Sequence, residues 1–141
     1  MAIDPEKLAR MFIEAIPHAK ALSMEITRIE GGLAEITMPH DERLIGDPAT
    51  GVIAGGAVSA LMDTCGGAAV MCHPEQPVGT ATIDLRIDYM RSATPGQAIL
   101  ARAECYHITR SVAFVRATAF DDDRDRPVAT ATGAFTVERA A

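Results

Sequence analysis

The sequence predicts an α+β fold in which a strongly curved antiparallel sheet wraps a long central helix, with a further helix at the N-terminus. Three observations lead there. Residues 51–72, GVIAGGAVSALMDTCGGAAVMC, hold twenty-one uncharged residues and one acid, Asp63, and a helix that is apolar nearly all round has to be covered on most of its sides. After His73-Pro74 the apolar residues recur with period two, the spacing of half-buried strands. Gly31-Gly32 and Pro95-Gly96 supply turn residues between strand-like runs.

The elements follow in order. Asp4 before Pro5 is a helix start, because the aspartate accepts from free backbone amides and proline fits the first helical position. That helix is expected over 5–16, with Leu8, Met11, Phe12, Ala15 and Ile16 as its apolar stripe and Pro17 ending it. Residues 24–30 and 33–39 flank Gly31-Gly32, which supplies the positive φ of a tight hairpin turn. Residues 40–54 lack periodicity and read as loop, and the central helix is expected over 55–72. In the strand that follows, Ile83, Leu85, Ile87 and Tyr89 alternate with Thr82, Asp84, Arg86 and Asp88, so one face is buried and the other wet. Three sequential antiparallel strands complete the chain, over 97–108, 111–121 with Val112, Phe114 and Phe120 on one side, and 127–137. The run DDDRDR before the last of them reads as a solvated hairpin tip. Its Asp121, Asp123 and Asp125 have the opening spacing of a calcium loop, but Arg126 stands where that loop needs glycine and Thr132 where it needs glutamate.

Length and composition narrow the class. With 141 residues, 1–141 is expected to form a single domain. Apolar residues make up 48% but aromatics only 4%, so Ala, Gly and Met fill the interior and the backbones must approach closely. A net charge of −6 without a basic, aromatic-laced patch excludes a nucleic-acid surface. Four glycines and a central acid within 55–72 argue against a membrane span. Asp4 and Glu6 stand where a secretory leader would carry lysines, so a cytoplasmic protein is expected. Cys65, Cys72 and Cys105 are an odd number and read as reduced, buried packing residues. Cys65, Cys72 and His73 lack the spacing of a chelate, so no metal is expected.

Asp63 is the anomaly. An unpaired buried carboxylate has to find a donor, take up a proton or face a cleft. It is therefore either a structural carboxylate bonded to backbone or hydroxyl donors, or a general base or nucleophile. Gly66 and Gly67, each costing about 1 kcal/mol relative to Ala inside a helix, point to a close backbone approach.

The segment GDPATGVIAGGAVSALMDTCGG resembles NPxTGxxHGGxxxxLLDTxxG of the hot-dog fold thioesterases of the phenylacetate-degradation (PaaI-like) type. The likeness extends to TATIDLRIDYMRSATPGQ and RPVATATGAFTV, and covers roughly residues 15–138. It implies a hot-dog fold, two chains joining their sheets, and active sites at the dimer interface. Asp63 then matches the acid that attacks the thioester carbonyl or activates water, Gly55 the backbone amide that polarises the carbonyl, and Thr82 the residue that orients the water.

Helix geometry gives a separate reason for a dimer. Gly55 and Gly56 open the helix, where free amides and the positive dipole end can hold an oxyanion. Asp63 lies roughly 12 Å further along at 1.5 Å per residue. Both cannot serve one carbonyl from the same chain, whereas two antiparallel helices set the amides of one beside the acid of the other.

The chain departs from the pattern at two positions. Ala54 replaces the histidine of HGG, and Asp47 replaces the asparagine before the loop proline. An ionised Asp47 would oppose a developing oxyanion. For the coenzyme A phosphates the resemblance points to Arg91 and Arg110, each of which reads equally as a solvated turn residue, and less to Arg43. The expected function is thus an acyl-CoA thioesterase acting on an acyl- or aryl-CoA, as a homodimer or homotetramer, with coenzyme A entering only as part of the substrate. The alternative is a non-catalytic acyl-thioester binder on the same dimer. A hot-dog dehydratase needs a site histidine, and neither His73 nor His107 is placed for it. Tunnel depth is expected to depend on Met62, Met71 and the N-terminal helix.

Overall fold

The computed structural model describes residues 3–141, in the order α1 (Pro5–Glu14), α2 (Pro17–Ala21), β1 (Glu25–Glu30), β2 (Leu33–Met38), a short 3-10 turn (Glu42–Leu44), β3 (Ile45–Asp47), β4 (Val52–Ile53), α3 (Gly55–Met71), β5 (Thr82–Tyr89), β6 (Ile99–Ile108), β7 (Val112–Phe120) and β8 (Ala129–Thr136). One six-stranded antiparallel sheet runs β1-β2-β6-β7-β8-β5, and β3 and β4 form a small ribbon of their own. The strand after α3 therefore crosses to the far edge and pairs with the last strand.

Helix α3 is buried at Val58, Leu61, Met62 and continuously from Cys65 to Met71. Its closeness to the sheet explains the composition. The strand faces turned toward it are mostly small: Ala101, Ala103, Ala113, Val115, Ala117, Ala119, Ala129 and Ala131 are all buried. A Cβ on Gly66 would lie 2.8 Å from the Phe135 ring, so only glycine fits there. Gly67 is different, since nothing comes nearer than 3.9 Å to the same position. All three cysteines are free and buried, and burial pushes the Cys105 thiol up to about 11 and that of Cys65 further.

Several expectations need adjustment. The first helix ends at Glu14 rather than 16, because Pro17 takes the first position of the short helix α2. Asp4 caps α1 as expected, accepting from the Glu6 amide. Met11 is 51% exposed, and Ala9 and Ile13 carry the buried stripe instead. The central helix closes at Met71, with Cys72 as its cap. Residues 40–54 are not all loop, because Leu44 O accepts from Ala54 N and holds the ribbon of β3 and β4 together. Val112, Phe114 and Phe120 do share a side, and it is the one turned away from α3.

The most consequential difference lies in β5. Thr82 pairs with Phe135 but Asp84 pairs with Ala134, so Ile83 is an extra residue, a β-bulge. A one-residue slip moves a side chain to the opposite face. Thr82 therefore leaves the wet face, where strict alternation puts it beside Asp84, and joins the helix-facing side of Leu85 and Ile87. Two features support the bulge. The Asp84 carboxylate accepts from the Ala134 amide at 3.0 Å, and Gly133 lets the strands close up, since a Cβ there would meet Asp84 O at 2.4 Å.

Gly133→Ala should destabilise the fold by about 1–3 kcal/mol, read as a lower urea midpoint at unchanged slope, and should also move Thr82.

Candidate active site

Asp63 lies half-buried on the face of α3 left uncovered by the sheet. It opens onto a cavity of about 200 Å³ between α3, the α1–α2 corner and the start of β5. The Thr82 hydroxyl donates to Asp63 Oδ1 at 2.6 Å, which the bulge in β5 makes possible. Among the described residues Oδ2 has no hydrogen-bond partner, and Asp63 lines the cavity. Phe12, Ile16 and Phe135 give the cavity apolar walls. Met62 and Met71, expected to shape a tunnel, are sealed in the core, and the α1 side chains shape it instead.

The helix start, expected to hold an oxyanion, stands apart. Ala54 precedes α3 without a side-chain cap, and the amides of Gly55 and Gly56 find no acceptor within the described residues. Both glycines are exposed. The Tyr89 hydroxyl donates to Gly55 O at 2.7 Å, which pins the helix start to β5 beside a second cavity of about 390 Å³. Alternation marked Tyr89 as inward-facing, but nothing in the sequence indicated its tie to Gly55. Asp63 and Thr82 are thus together and line one cavity, whereas Gly55 lines the other.

The remaining predicted residues have other partners. Asp47 turns back on its own loop: Oδ1 accepts from the Ala49 amide at 3.0 Å and Oδ2 from the Thr50 hydroxyl at 2.9 Å. It holds the turn into β4. Arg91 is a correction. Its guanidinium donates to both oxygens of Asp121, at 2.8 and 2.7 Å, and to the carbonyls of Ser92 and Arg126. With all its donors committed inside the chain it is a structural cation rather than a phosphate clamp. Arg43 likewise forks onto Asp41, holding that carboxyl down at about 2. Arg110 is exposed at the β6–β7 turn, where its carbonyl accepts from Arg139. Arg139 also reaches Glu75 just beyond α3, so Arg110 sits at the opposite end of that helix from Gly55.

Asp121 overturns the reading of DDDRDR as merely solvated. It is fully buried, and besides Arg91 it accepts from the Thr94 amide and hydroxyl and from the Asp123 amide. Charge density alone hid it. Among the described residues no cluster of metal-ligating side chains occurs and no helix is long and apolar enough to cross a membrane.

Of the histidines, His73 accepts from the Glu75 amide and His107 packs against Phe114. His18 is the one that lines the Asp63 cavity. It was not singled out by sequence because it is remote from Asp63 along the chain.

The curved antiparallel sheet around one long apolar helix defines a hot-dog fold protein. The family model of the thioesterase superfamily matches residues 50–128, and the chain belongs to that superfamily. A Pseudomonas aeruginosa protein of known crystal structure is 36% identical with a TM-score of 0.83, covering 94% of this chain and 98% of that one. The PaaI protein of the phenylacetic acid degradation operon of Escherichia coli superposes with a TM-score of 0.85 at 20% identity, over 98% of this chain and 96% of that one. The medium/long-chain acyl-CoA thioesterase YigI of Escherichia coli K12 is 24% identical over 92% of this chain and 91% of its own length.

Arg91 holds the Asp121 carboxyl far below the usual carboxylate range. A depressed folded-state value stabilises the fold above the ordinary carboxylate pKa of about 3.9, and the contribution is lost as pH falls through the lowered value. Asp121→Asn should therefore cost roughly 3 kcal/mol at pH 7. In chemical denaturation the gap between wild type and variant should narrow steadily below pH 4.

Proposed function

We propose that this protein is an acyl-CoA thioesterase whose active site is completed by a second copy of the chain. One observation carries the reading: Asp63, alone in the most apolar helix, opens onto a cavity and has one carboxylate oxygen held by Thr82. Thr82 supplies one hydroxyl donor, and among the described residues the other oxygen has no protein partner. Here the second oxygen is left to attack a thioester carbonyl or to draw a proton from water. Thr82 fixes the rotamer of Asp63 and can share the same water.

Carbonyl polarisation needs amides that the same helix offers only at its start, roughly 12 Å from the acid. A second chain supplies them if the two α3 helices run antiparallel, with the Gly55 and Gly56 amides of one beside Asp63 of the other. The free edge of β5 fits such a pairing. Ile83, Tyr89 and Met90 there are between 50% and 59% exposed, apolar residues along a strand with one unpaired edge. We therefore take the assembly to be a homodimer or a dimer of dimers. The three reduced, buried thiols suit the cytoplasm. Arg110 remains the candidate cation for the coenzyme A phosphates.

The substrates are acyl- or aryl-CoA thioesters, in keeping with the thioesterase family and with the activity named for YigI. A second reading, a non-catalytic acyl-thioester binder, draws on Ala54, which leaves the helix start without a side-chain donor.

Purified protein mixed with short, medium and aryl acyl-CoA thioesters should release free thiol. Asp63→Asn should lower kcat/KM about 10³-fold, within the range for removal of a catalytic acid or base, with substrate binding retained. Saturable binding without thiol release from wild type would favour the binder. Ile83→Asp should yield monomers in sedimentation velocity and lose turnover in parallel, whereas an active monomer would refute the shared site.

A further inference from the structure

We infer that His18 is the acid that protonates the coenzyme A sulfur as it leaves, a role that rests on the hydrolase reading above. Two titratable side chains line the cavity at the catalytic carboxylate, Asp63 and His18. The others are Phe12, Ile16, Phe135, Gly67, Ala81 and three threonines. Among the described residues His18 makes no side-chain hydrogen bond, unlike His73.

Its place at the rim assigns the role. Phe135 and Gly67 form the buried floor, Phe12 and Ile16 are half-buried walls, and His18 is exposed. Gly67 keeps the floor open, since a side chain there would project toward Phe12. An acyl group enters such a cleft first, because it is the apolar end of the substrate. The coenzyme A body is far too large to follow and stays in solvent, so the scissile C–S bond lies near the rim, with the sulfur on its outer side. The local sequence sets the imidazole there: Ile16 is extended, as the residue before proline prefers, and Pro17 opens α2 so that His18 follows at its second position.

The step balances. Water adds to the carbonyl carbon as its proton passes to Asp63, and the carbonyl electrons move to the oxygen held by helix-start amides of the second copy. When the carbonyl re-forms, the C–S bond breaks with its electron pair on sulfur, and the imidazolium N–H gives sulfur its proton. Asp63 returns a proton to solvent and His18 takes one up, so one water is consumed for one carboxylic acid and one thiol. Ala54 stands at the HGG position, and among the described residues His18 is the one imidazole lining this cavity.

Leaving-group dependence tests the idea, because an acid is needed most where the departing thiolate is most basic. Wild type, His18→Gln and Asp63→Asn should be assayed on an acyl-CoA and on the same acyl group carried by 4-nitrothiophenol. The expected result for His18→Gln is a fall of roughly a hundredfold in kcat/KM on the CoA ester, with the nitrothiophenyl ester within about twofold of wild type and Asp63→Asn impaired on both. Added imidazole should restore part of the lost CoA-ester rate. Equal losses on the two esters, or no loss on either, would overturn the assignment while leaving Asp63 catalysis standing. A wild type inactive on every thioester would remove the hydrolase reading itself.

Discussion

The distance between α3 and its sheet is the constraint on which the other features depend. An apolar helix wrapped by strands is stable only if backbones come close enough to exclude water, and that closeness is set by what the facing residues lack. Gly66 admits the Phe135 ring, and the strands present alanines where larger side chains would hold the helix off. The sheet has to curl to make contact on most sides, and the curl leaves one strip of α3 uncovered. Asp63 lies on that strip, and α1 and α2 lean over it.

The geometry around Asp63 is an outcome of packing rather than of loop design. The acid sits on the central, largely buried helix and is held by a threonine on an edge strand. The edge strand delivers that threonine through a bulge that Gly133 and Asp84 hold in place. The same edge carries exposed apolar residues and the tyrosine that pins the start of α3. One strand thus connects the acid, the amide end of the helix and the surface by which a second copy would join them.

Much of this was legible in the sequence. The central helix, expected over 55–72 from its continuous apolar run and ending at Met71, the hairpin at Gly31-Gly32 and the strands after residue 80 follow from composition, periodicity and turn chemistry, which act over short segments. Asp63 was legible because a charge in an apolar run has no local explanation. The arginines were not. Arg91 and Arg43 look equally free along the chain, yet one anchors a buried aspartate and the other folds onto Asp41 two residues away. Asp121 was hidden among charged neighbours, and its burial depends on Arg91 and Thr94 arriving from another part of the chain.

By itself the sequence determined the kinds of element and the identity of the anomalous acid, since apolar period, glycine pairs and proline positions are properties of short segments. Only the tertiary structure decided which residues meet that acid. Thr82 reaches it because a single extra residue in β5 reverses a face, and His18 reaches its cavity because a proline-started turn brings a distant helix over it. Such meetings depend on hydrogen-bond register and on the close packing of elements far apart in the chain, which no local pattern encodes.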